Sequence, residues 1–84
     1  MKLTAEEKGF VISVLHLYAR VFPNDYKAIS IINTIFKKYL GNKNYQKLNV
    51  EQLSLVVFCM EHTVNYGSTI EYKTEANNIL KKLI

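Results

Sequence analysis

Only one pair of side chains in this 84-residue chain has the spacing for nucleophilic chemistry. Cys59 and His62 stand three positions apart. On a helix that spacing makes a thiol and an imidazole neighbours, the setting in which a thiolate can form. Cys59, however, lies among Val56, Phe58 and Met60, an apolar flank that favours a buried, structural thiol. His62 has Glu61 beside it and no second ligand three or four residues away on the same face, and the other imidazole, His16, is remote. The chain has no HExxH arrangement, no glycine-rich phosphate loop and no close set of carboxylates. A single cysteine rules out an internal disulfide and any zinc site of the several-cysteine kind. Catalysis needs complementary groups held in a concave site, and that set is missing. We therefore expect no enzyme activity, no cofactor and no metal.

Two other groupings are suited to binding. In the segment around residues 50–66, Leu53, Val56, Val57, Met60 and Val64 form an apolar stripe, with Glu51, Ser54, Glu61, His62 and Asn65 opposite. Phe58 projects into the middle of that polar group, and Leu55, Cys59 and Tyr66 extend the apolar character along one edge. Phe58 packs against other helices of its own chain, anchors a partner, or belongs to a ligand pocket. In the second case Ser54, Leu55, Glu61 and His62 surround an aromatic anchor at a protein interface or in a homodimer. The other grouping is basic. Lys27, Lys37 and Lys38 share the broad polar side of one segment, and Lys43, Tyr45 and Lys47 follow in the next connection. Tyr45 between two lysines has the make-up of a base-stacking platform flanked by phosphate contacts, so a small nucleic-acid-binding regulator is the alternative. A solvated lysine surface with Tyr45 folded onto the core explains the same residues. Sequence-specific reading would require a more polar recognition helix than any here.

Four amphipathic segments must carry these residues. Thr4 with Glu7 three residues on forms a capping box for a helix from about Ala5 to Val21, which Pro23 terminates. A second helix covers roughly Asp25 to Leu40, with Gly41 as its cap. Asn49 with Gln52 starts a third, which ends before Gly67, and Ser68 with Glu71 starts a fourth. Ile29, Ile32, Ile35, Phe36, Tyr39 and Leu40 give the second helix one apolar face, and Tyr72, Ala76, Ile79, Leu80 and Leu83 do so for the fourth. The first helix is apolar round most of its circumference, leaving a stripe of Gly9, Ser13, His16 and Arg20. Small Gly9 and Ser13 would admit a neighbouring helix there. The first and third helices form the central pair, and the short links favour antiparallel hairpins.

The expected fold is therefore all-α: one compact four-helix domain over residues 1–84, built from two αα-hairpins at about 4–40 and 49–84 with a polar connection at 41–48. The halves also read as a degenerate repeat. Leu3-Thr4-Ala5-Glu6-Glu7 matches Leu48-Asn49-Val50-Glu51-Gln52, and Asn33 to Leu40 matches Asn77 to Ile84. The spacing is 45 residues at the start and 44 at the end, a single deletion apart.

Composition sets the outer limits. With 49% hydrophobic residues the chain can fill a core, although a domain this small has a thin stability margin that self-association would widen. The net charge of +4 rests on ten lysines and one arginine, Arg20, in a chain rich in Asn, Ile and Tyr. That pattern hints at AT-rich coding and weakens any inference from charge. The opening Met1-Lys2-Leu3-Thr4 lacks the apolar stretch of a signal peptide, and no run reaches the length of a membrane span. A cytoplasmic, non-catalytic protein-binding module, regulatory or inhibitory in role, is the leading expectation. A structural subunit of a larger assembly is a further possibility.

Overall fold

A computed structural model describes residues 3–40 and 48–83, the side chain of Leu40 excepted. Four helices follow one another: α1 (Ala5–Val21), α2 (Tyr26–Leu40), α3 (Val50–Tyr66) and α4 (Ile70–Leu83). The slab they form measures 32 × 31 × 19 Å between Cα extremes, so its thin dimension is about two helix diameters. All four helices contribute to one core. It is made by Val11, Val14 and Leu15 of α1, Ile32 and Ile35 of α2, Val56, Cys59 and Met60 of α3, and Ala76, Ile79 and Leu83 of α4. Burying each larger aliphatic side chain stabilises the fold by about 1.5–3 kcal/mol. The expected four-helix domain is what forms, with α3 touching the other three helices.

The repeat seen in the sequence reappears in the packing. The buried residues of α1 are Glu7, Val11, Val14 and Leu15; those of α3 are Gln52, Val56, Cys59 and Met60, each forty-five positions further on. Both helices start on a capping box. Thr4 and Glu7 exchange side-chain and backbone bonds at 2.8 and 3.1 Å, as do Asn49 and Gln52 at 3.1 and 2.8 Å. Each box is then clasped by a lysine from the other hairpin. Lys82 Nζ, at the end of α4, donates to Glu7 Oε1 at 2.8 Å, and Lys38 Nζ, at the end of α2, donates to Gln52 Oε1 at 2.7 Å. Lys38 and Lys82 are themselves matched positions of the repeat. The N-termini of α1 and α3 thus lie at one end of the molecule, each beside the C-terminal turn of an outer helix. Basic groups there also oppose the negative end of the outer helix dipole.

The halves differ at their turns. Both inner helices close with a cap N–H donating to a carbonyl four residues back: Phe22 to Tyr18 and Gly67 to Thr63. After Gly67 only Ser68 and Thr69 precede α4, whereas Pro23, Asn24 and Asp25 follow Phe22 before α2 begins. The one-residue deletion implied by the sequence therefore falls in this turn. Gly67 has an ordinary extended conformation, but a Cβ on it would lie 2.5 Å from the Thr63 carbonyl oxygen and 3.2 Å from Lys73 Cγ. Glycine is needed for close approach, and α4 packs along α3 more extensively than α2 packs along α1. In the first hairpin, Lys8 over Tyr39, His16 against Phe36 and Tyr18 bonded to Asp25 mark an antiparallel return.

Several expectations change in detail. The fourth helix is capped by Thr69, whose Oγ1 accepts from Tyr72 N at 3.1 Å, and not by Ser68. Asp25 lies outside the second helix as its cap, accepting from Ala28 N at 3.2 Å. Tyr72 is exposed at the edge, where its ring meets Phe10 edge-on, because α4 turns Ala76, Ile79 and Leu83 inward. No helix takes up the space at Gly9: a Cβ there would meet nothing within 4 Å, and Ser13 instead bonds the Gly9 carbonyl. The expected Gly41 cap lies outside the described residues. Among those residues, no helix is long and apolar enough to cross a membrane.

Candidate functional site

A groove of about 580 Å³ lies between the C-terminal halves of α1 and α3, with the first turn at its end. Val14, Leu17, Tyr18 and Val21 form one wall, Phe58, Cys59, His62 and Thr63 the other, and Phe22 and Asp25 the end. Four large apolar side chains at this place remain open to solvent: Leu17 at 56%, Val21 at 59%, Phe22 at 48% and Phe58 at 54%. Isolated exposed hydrophobes need no explanation, but several gathered round one concavity make it the candidate site.

Phe58 is the ridge of this surface. Its ring meets Tyr18 edge-on at 6.3 Å, which holds one side, and the remainder stands out from α3. On the far side is a shallower hollow of about 350 Å³, lined by Leu53, Ser54, Val57, Phe58, Glu61 and Leu83. The helix spacing predicted from sequence therefore brings Ser54, Phe58 and Glu61 together, and places His62 on the groove side with its ring 5.0 Å from Tyr66. Leu55 lines neither concavity; it is half-buried against the core. Leu17, Tyr18, Val21, Phe22 and Asp25 were missed as site residues. Their signal was the near-complete apolar circumference of α1, more than one short helix can cover in a four-helix slab.

The chemistry of the groove is quiet. Burial pushes the Cys59 thiol up to about 11, so at neutral pH it stays protonated and poorly nucleophilic. Burial and the neighbouring Asp25 carboxylate raise Tyr18, which donates to Asp25 Oδ2 at 3.0 Å. Thr63 spends its hydroxyl on the Cys59 carbonyl at 2.9 Å. Among the described residues, no group of three or more His, Cys, Asp or Glu side chains could hold a metal ion.

The lysines of the alternative reading are divided. Lys27 and Lys37 are exposed on α2, while Lys38 is half-buried and clasps Gln52. Lys43, Tyr45 and Lys47 lie outside the described residues. Comparison with known proteins gives no match to any family model, to any curated protein or to any solved structure.

Proposed function

We propose that this chain is a small non-catalytic module that binds another protein through Phe58 and the groove beside it. It would regulate or block that partner by occupying a surface. The supporting observation is the convergence of Leu17, Val21, Phe22 and Phe58, all exposed, on one concavity between two helices. A rigid aromatic ridge next to a preformed apolar groove is the anatomy in which few residues carry most of the affinity. The fold presents the groove ready-made, so little ordering cost opposes association.

The test is capture of partners from native extract by the wild-type chain and by Phe58→Ala, with nuclease treatment as a parallel arm. The variant should keep its helical circular dichroism and lose about 2 kcal/mol or more of partner affinity, roughly 30-fold. Equal retention by a folded Phe58→Ala variant would remove the groove from this role. Binding abolished by nuclease would instead favour the lysine face of α2. Light scattering over a concentration series identifies the case in which the partner is a second copy.

A further inference from the structure

Both concavities flanking Phe58 carry a carboxylate and neither is lined by a lysine or arginine, although the chain contains eleven such residues. Asp25 stands at the end of the groove and Glu61 at the rim of the shallower hollow. The whole of α3 has two acidic residues, Glu51 and Glu61, and no lysine or arginine; His62 is its single imidazole. Both carboxylates are exposed, and neither forms an ion pair among the described residues. Arg20, the nearest cation on α1 in sequence, lines neither hollow. On the exposed face of α3, in a protein of net charge +4, Phe58 thus stands between Glu51, seven positions before it, and Glu61, three after it.

Resting on the protein-binding reading above, we infer that the groove accepts a basic amphipathic helix. Its apolar anchors fill the space between Leu17, Val21 and Phe58, and its Lys or Arg side chains meet Glu61, Glu51 and Asp25. The walls are two helices, and the chain offers no strand edge among the described residues, so strand addition has no template. The α1 wall runs from Val14 to Val21, about 10 Å at the helical rise, which suits anchors spaced i, i+3 or i+4, and i+7. Asp25 Oδ2 accepts from Tyr18 and Oδ1 from Ala28 N, which fixes where its carboxylate sits. It lies at the end of the groove, where a cation extending past the last anchor would arrive.

The net charge makes the test sharp, because overall electrostatics favour an anionic peptide and only the local carboxylates favour a cationic one. Two labelled helical peptides of about 14 residues share leucine anchors at the helix-in-groove spacing. One carries lysine at the remaining positions and the other glutamate. Fluorescence anisotropy with the full chain at low salt should show the lysine peptide binding at least about tenfold more tightly, with the difference shrinking as salt rises. The Glu51→Gln/Glu61→Gln variant should lose most of that preference, and Phe58→Ala should weaken both peptides. Equal or tighter binding of the glutamate peptide overturns the basic-helix inference and leaves the groove intact as a protein site. Failure of both peptides to bind the folded chain overturns the helix-in-groove inference, while capture with Phe58→Ala decides the protein-binding reading separately.

Discussion

The two inner helices begin alike and end differently. At the beginning, Glu7 and Gln52 fill the same position, each closing its own capping box and each receiving a lysine from the opposite hairpin. At the end, Phe22 and Gly67 cap the same turn, but only glycine lets the chain pass within reach of the Thr63 carbonyl. The first turn, with one additional residue and the large Phe22, lies at the end of the groove, and the second joins the more extensively packed hairpin. The proposed binding surface thus lies where the repeat is least faithful. Phe58 follows the same rule, since its counterpart in α1 is the small, exposed Ser13.

If the inner helices are equivalent, emptying their matched core positions should cost alike. Leu15→Ala and Met60→Ala, both fully buried in the native chain, should each lose about 2–5 kcal/mol in chemical denaturation. That is a large share of the roughly 4–12 kcal/mol available to a domain of this size. A marked inequality between them would break the equivalence. The turns should then separate the halves. Gly67→Ala should destabilise by about 1–3 kcal/mol, because backbone and not a flexible side chain meets the new Cβ. Phe22→Ala, at a half-exposed cap, should cost less than about 1 kcal/mol.

Acid distinguishes the two starting corners. The hydrogen bond from Lys82, then that from the Thr4 backbone, holds the Glu7 carboxyl below its ordinary value of 4.5. Its contribution is complete above that value. It drains away as pH falls through the depressed folded value, because the unfolded chain takes up the proton first. With the Lys82 side chain 44% exposed, solvent screening limits the effect to about 1 kcal/mol. Glu7→Gln should remove this acid dependence, and Gln52→Glu should install it at the other corner; melting temperatures between pH 3 and 7 report both. The smallest effect belongs to Gly9→Ala. With nothing near the added methyl, it should stabilise by about 0.5–1 kcal/mol in thermal melts.

Helix number, order and approximate ends were legible because their determinants are local: the Thr4–Glu7 and Asn49–Gln52 boxes, the Pro23 stop and the apolar periodicity of α2 and α4. The cap of α4 was misplaced by one residue because Ser68 and Thr69 are chemically similar and only the turn after Gly67 chooses between them. Phe58 was legible as an exception to the polar face of α3. Its state was not, since exposure depends on how closely the neighbouring helices pack beside α3. Leu17, Val21 and Phe22 escaped notice for the same reason: an apolar side chain in sequence carries no mark of whether a neighbour covers it. The lysine clasps were equally hidden, as Glu7 and Lys82 are separated by nearly the full chain.

Because each clasp joins one hairpin to the other, neither half completes its own starting corner. A chain cut between residues 40 and 48 should therefore behave as two complementary fragments. Alone, each would lose its partner's lysine and half its core; mixed, they should recombine into a helical one-to-one complex whose recovery follows second-order kinetics.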